Sequence, residues 1–126
     1  MIAGIGVDLA TISRIEQAHA RFGERFAKRI LNPLEWDEYL NHQTPTRFLA
    51  KRFAVKEASV KALGTGERAG VLLKDFYLEH DSLGKPILQV SGEAKNRCEQ
   101  QGIKHFWVSI TDEGDTVAAF VVLELG

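Results

Sequence analysis

The first nine residues, MIAGIGVDL, constrain this chain more than any other stretch. Strand alternation puts Ala3, Ile5, Val7 and Leu9 on one face and Ile2, Gly4, Gly6 and Asp8 on the other. The segment reads as a buried strand, and the second face is nearly bare. Glycines beside Asp8 leave space for a helix or a ligand to come close to its carboxylate. An aspartate at a strand end more often caps the next helix or opens a turn, so Asp8 needs a second signal before it carries chemistry.

The next part of the chain is helical. A helix is expected from about Ile12 to Leu31, capped by Thr11 and ended by Pro33. LEWDEYLNH after Pro33 suggests a short helix, and TPT at 44–46 precedes a longer one that contains FAVKEASVKALGTG, residues 53–66. The second half changes character. VLLKDFYLEHD and PILQVSG read as strands joined at Gly84-Lys85-Pro86, EAKNRCEQQG as a polar helix ending at Gly102, and HFWVSIT and TVAAFVVLEL as a hairpin around Asp112 to Asp115. Early helices, late antiparallel strands and a first strand that joins the later sheet give an α+β fold, as one domain over residues 1–126.

Composition narrows the partners. A hydrophobic fraction of 44% with 26% charged residues suits an ordinary globular chain, and a net charge of −1 gives no general affinity for nucleic acid. The single cysteine, Cys98, has no internal partner, and no signal segment or apolar run of membrane-spanning length is visible, so the expected compartment is the cytoplasm, without membrane contact.

Positive charge is nevertheless concentrated. At about 100° per residue, Ile12, Ile15, His19, Phe22, Phe26 and Ile30 form an apolar stripe on the first helix, while Arg14, Arg21, Arg25 and Lys28 form a second stripe with no acid on its own line. Such a row is either a solvated face or a docking strip that steers an acidic protein into place. Exposed aromatics interleaved with the basic residues are not expected, which ranks nucleic acid below a protein partner.

The second signal for Asp8 lies in the central helix. Glu57 and Lys61, at i and i+4, share a face with Phe53, Val60 and Gly64, so the carboxylate is expected to be half-buried. Taken alone they are an ordinary helix ion pair. With Asp8 they become two carboxylates and a lysine, the minimum with which Mg²⁺ is held against substrate phosphates. Gly64-Thr65-Gly66 follows the helix and therefore meets its negative end, so it reads as a helix cap with backbone to spare and not as a phosphate loop.

GIGVDL at 4–9, together with FLAKRFAVKEASVKALGTG at 48–66, closely resembles the holo-[acyl-carrier-protein] synthase family. The likeness runs end to end and includes the Arg-bearing first helix, GKP at 84–86 and VSITDEGDTVAAFVV near the end. It implies the phosphopantetheinyl transferase fold, and an enzyme that transfers phosphopantetheine from coenzyme A to a serine of apo acyl carrier protein, releases adenosine 3′,5′-bisphosphate, needs Mg²⁺ and supports fatty acid biosynthesis. It also implies a homotrimer with sites between subunits. By position, Asp8 and Glu57 resemble the family's metal ligands and Lys61 its pyrophosphate-binding lysine, with Glu57 and Lys61 as catalytic groups. Gly64, Thr65 and Gly66 fall where the family's chain lies along coenzyme A, Arg47, Lys51 and Arg52 are candidates for its nucleotide phosphates, and Arg14, Arg21, Arg25 and Lys28 match the acidic carrier protein.

One departure stands out: many members carry histidine where this chain has Trp107 and Asp112, and His105 lies two residues before Trp107, on the same strand face. A carrier-binding module without chemistry and a Mg²⁺-dependent hydrolase of nucleotide pyrophosphates are the rival readings.

Overall fold

The computed structural model describes all 126 residues. Strand β1 (Ile2–Thr11) leads into α1 (Ile12–Phe22) and α2 (Glu24–Ile30); a 3₁₀ turn at Pro33–Glu35 opens into α3 (Trp36–Asn41), and α4 (Pro45–Leu63) crosses the core. A second 3₁₀ turn at Leu73–Asp75 precedes β2 (Phe76–His80) and β3 (Pro86–Val90), and α5 (Gly92–Gln101), β4 (Ile103–Glu113) and β5 (Thr116–Leu125) complete the chain. The architecture is α+β as expected, with every strand pair antiparallel. The strands form two sheets: β1-β5-β4, with β5 in the middle, and the separate hairpin β2-β3.

The glycines decide how α4 meets the sheet. A Cβ on Gly6 would lie 2.0 Å from the Ala58 carbonyl oxygen, and one on Gly4 would lie 1.9 Å from that of Ala62. Only a bare strand face lets two backbones come this close. The core therefore forms between α4 and the glycine face of β1 together with Val117, Ala119, Val121 and Leu123 of β5. The strand expected to be buried is thus covered on its glycine face only. Ile5, Val7 and Leu9 are 61%, 57% and 67% exposed, and with Phe120 and Trp107 they form an open apolar face on the far side of the sheet.

Three local expectations are corrected. The first helix does not run unbroken to Leu31, because Gly23, at φ 61° and ψ −139°, breaks it into α1 and α2. Thr11 makes no side-chain cap; Asp115 in the β4–β5 turn supplies it, accepting from the Ser13 amide at 3.0 Å and from the Ser13 hydroxyl, while its carbonyl accepts from the Ile12 amide at 2.8 Å. The segment expected as a strand from Val71 is strand only from Phe76, because Asp75 accepts from the Leu72 amide and turns the preceding residues into 3₁₀ form.

Candidate active site

Close packing of β1 on α4 places Asp8 beside the exposed flank of the helix. The Lys61 ammonium donates to Asp8 Oδ1 at 2.8 Å and reaches the Val7 carbonyl at 3.3 Å. This hydrogen bond and the Asp8 charge raise the Lys61 pKa, keeping the ammonium charged. Glu57, one turn earlier, is half-buried as its apolar neighbours suggest. Burial, then the charges of Glu67 and Asp8, push its carboxyl above the usual range, with Lys61 opposing them. Asp8, Glu57 and Lys61 are thus brought together beside an open cleft of about 450 Å³ lined by Val7, Asp8, Leu9 and Lys61.

This donor set suits a hard divalent cation. Two carboxylates close enough to raise the pKa of one are what such an ion neutralises. No group of three or more histidine, cysteine or acidic side chains is arranged to enclose a metal. Two protein oxygens would leave the other positions of an octahedron to water and phosphate, which is how Mg²⁺ is usually held. Glu67 was not anticipated. Its only signal in sequence is that it follows Gly66, where the chain turns back past the end of the helix that carries Glu57.

Gly64 caps α4 in the left-handed region at φ 86°, its amide donating to the Val60 and Lys61 carbonyls, both at 3.1 Å. The Gly66 amide returns to Val60 O at 3.3 Å, and the Thr65 hydroxyl donates to Gly66 O at 2.7 Å. The segment is a helix cap first, as read from its position.

Behind α4 lies a charged cluster that sequence reasoning missed. Lys56 is fully buried, and its ammonium donates to Glu35 Oε1 and, at 2.7 Å, to the carbonyl of Ile30. Burial pushes its pKa down to about 8, against the pull of Glu35. Arg52, a candidate for coenzyme A, is buried too, giving Nε to Glu35 at 3.0 Å and Nη2 to Glu38 at 3.1 Å, with its guanidinium over the Phe48 ring. It still borders a pocket of about 190 Å³ with Arg47, Lys51, His42 and His80. Arg47 and Lys51 are both paired with Asp112, one of the two positions where histidine was expected.

The basic row survives the break at Gly23. The Arg21 and Arg25 guanidinium groups lie 5.1 and 5.8 Å from the centre of the Phe22 ring, one from each side of the break, and Lys28 lies over Trp36. None of Arg14, Arg21, Arg25 and Lys28 forms a salt bridge, while six other basic residues do. Phe22, assigned to the apolar stripe, is instead 44% exposed between arginines, so the strip does carry an exposed aromatic. Ile12, Ile15 and Ile30 are buried as expected, and His19 is held by the Tyr39 hydroxyl at 2.6 Å.

His105 stands apart from the carboxylates. It stacks on Trp107, whose indole N–H donates to Glu124 at 3.0 Å, and both occupy the open face of the sheet. Asp8 is on the helix-covered face, so within one chain His105 does not reach it.

Residues 4–121 match the family model of the 4′-phosphopantetheinyl transferase superfamily. The chain is 50% identical to the holo-[acyl-carrier-protein] synthase of Photorhabdus laumondii and 48% identical to that of Yersinia pseudotuberculosis, in each case over 123 residues covering 98% of both chains. It superposes on the crystal structure of the Neisseria meningitidis holo-[acyl-carrier-protein] synthase with a TM-score of 0.92 at 45% identity, covering 98% of this chain and 99% of that one. The Bacillus anthracis synthase in complex with CoA (3′,5′-ADP) matches with a TM-score of 0.81 at 34% identity, covering 100% and 99%.

Proposed function

The chain belongs to the holo-[acyl-carrier-protein] synthase family of the 4′-phosphopantetheinyl transferase superfamily, and on that premise we propose that it transfers phosphopantetheine from coenzyme A to a serine of apo acyl carrier protein in a Mg²⁺-dependent reaction. The products are holo carrier protein and adenosine 3′,5′-bisphosphate, and the reaction serves fatty acid biosynthesis in the cytoplasm. The observation that carries the reading is the convergence of Asp8, Glu57 and Lys61 where β1 touches α4.

The serine oxygen bonds to the β-phosphorus of coenzyme A as the bond to the bridging pyrophosphate oxygen breaks, and the serine proton must leave. Glu57 takes that proton, directly or through a water, because it stands beside Asp8 and Lys61 where the substrate binds, and no histidine is needed. Lys61 turns from Asp8 to the pyrophosphate and offsets the charge that gathers on the departing bisphosphate. Asp8 and Glu57 would hold Mg²⁺, which when bound polarises the pyrophosphate and neutralises its charge. Catalysis is then mainly positioning and electrostatics, as in other phosphoryl transfers. Gly64, Thr65 and Gly66 flank coenzyme A with small residues, and Arg47, Lys51 and Arg52 border the pocket for its remaining phosphate.

The carrier protein docks on Arg14, Arg21, Arg25 and Lys28, which have no acidic partner of their own, and Phe22 adds an apolar contact among them. The active form is a homotrimer joined through the open sheet face. Its exposed Ile5, Val7, Leu9 and Phe120 favour burial, and Val7 and Leu9 also line the cleft at Asp8, so a neighbouring subunit would complete each site.

The test is to incubate the protein with apo carrier protein, coenzyme A and Mg²⁺ and weigh the carrier. A gain equal to phosphopantetheine is expected. An unchanged carrier with intact coenzyme A would indicate a binding module, and coenzyme A cleavage without carrier modification a hydrolase.

A further inference from the structure

Glu35 and Lys56, buried behind α4, have no part in the chemistry above. The Glu35 carboxylate, 2% exposed, accepts four donors: the Asn32 amide at 3.0 Å and the Lys56 ammonium at Oε1, and Arg52 Nε at 3.0 Å and the Leu78 amide at 3.2 Å at Oε2. Lys56 spans from this carboxylate to the carbonyl of Ile30, the last residue of α2. One acid and one base thus tie together the end of α2, the Pro33–Glu35 turn, α4 and β2.

Stability does not explain such a cluster, because a buried ion pair is commonly no more stable than apolar residues of the same volume. Its bonds are directional, however. They set the rotation of α4 about its axis and its level along that axis. Lys56 precedes Glu57 and lies about 100° from it around the helix, so the angle that satisfies Lys56 also aims Glu57 and Lys61 at Asp8. A helix rotation of about 20° would move side-chain tips by about 2 Å, and misplacement of about 1 Å can cost a hundredfold in rate.

We propose that Glu35 and Lys56 are positioning residues for the transfer reaction: they hold α4 at the angle where Glu57 and Lys61 meet Asp8, and they lock that helix to the α2 end of the carrier-docking arm. This rests on the transferase reading. Neither residue touches a reactant. The network fixes geometry, and removing the Glu35 and Lys56 charges together, with Arg52 still held by Glu38, should leave a folded enzyme with a misaimed site.

The test is the paired variant Glu35→Gln with Lys56→Met, assayed for carrier modification beside the wild type. The expected result is a melting temperature close to wild type, a KM for coenzyme A within about threefold, and a kcat lowered at least tenfold. Wild-type kcat in the folded double variant overturns the proposal. Should the pair prove too unstable, Lys56→Gln is assayed well below its melting point, with turnover expressed per folded molecule by circular dichroism; an unchanged value there means a purely structural role and overturns it as well. A wild-type protein that leaves the carrier unmodified overturns the transferase reading itself, and this proposal with it.

Discussion

Lys61 donates to the Asp8 carboxylate across 2.8 Å, linking the helix residue assigned to phosphate and the strand residue assigned to metal in one hydrogen bond. Without substrate each group satisfies the other's charge. Substrate and metal together would exchange this bond for two new ones, and so would not leave either group unpaired. Asp8→Asn and Glu57→Gln are each expected to lower kcat for carrier modification by well over tenfold, more than about 1.4 kcal/mol of barrier, with circular dichroism unchanged. Near-normal turnover in either variant would remove that residue from the metal site.

Glu57 should trade stability for function. Burial and the charges of Glu67 and Asp8 raise its pKa, so the folded protein holds the Glu57 proton more tightly than the unfolded chain does. The contribution of this group to stability is therefore complete below the unfolded carboxyl pKa and is lost as pH rises through the folded one. Glu57→Gln, uncharged throughout, should melt above wild type at neutral pH when metal is absent, and the gap should close as pH falls through the carboxyl range. A variant that melts lower at pH 7 would contradict the crowding of these carboxylates.

Gly6 leaves no room for a side chain, since an added Cβ would meet Ala58 O at 2.0 Å and Ala62 N at 2.9 Å, both backbone atoms. Gly6→Ala must push β1 away from α4. Urea denaturation should show a loss of about 1–3 kcal/mol or more. Activity should fall further than stability predicts, because the same displacement separates Asp8 from Glu57.

Neutralising the docking strip should be felt through salt. With Arg14→Ala and Arg21→Ala combined, affinity for apo carrier protein should drop about tenfold at low ionic strength, and the deficit should shrink toward parity near 1 M salt, where the Debye length is about 3 Å. Equal affinities at low salt, by calorimetry, would refute this surface.

Assembly is tested on the open sheet face. Ile5→Glu puts a charge where Ile5, Val7 and Leu9 now offer exposed apolar surface. Sedimentation should show the wild type as a trimer and the variant as smaller species with little transferase activity. A wild type that sediments as a monomer would end the trimer proposal.

How much was legible beforehand differs residue by residue. Asp8, Glu57 and Lys61 were readable because each signal was local: alternation in β1, a four-residue step in α4, and a bare strand face inviting the two together. The break at Gly23 was not, because a lone glycine within a helical pattern lowers propensity without saying whether the chain turns there. Phe22 was assigned to the core on an unbroken wheel; as the last residue of α1 it lies exposed between Arg21 and Arg25. Asp115 as the cap of α1, 102 residues from Ser13, leaves no trace in either local sequence.

The amino-acid sequence by itself determined the α+β order of elements, the family, and the three side chains at the meeting of β1 and α4, since these depend on periodicity and motif over short spans. Only tertiary structure decided which face of β1 is covered and which charges are buried. Alternation distinguishes two faces but not which one a neighbour will take, and here the apolar face lost to the glycine face because only glycine lets the α4 backbone approach to contact. Lys56 sits one residue from Glu57 and is as charged, yet it is fully buried because Glu35, 21 residues earlier, arrives to meet it. No rule of spacing brings those two together; the fold does.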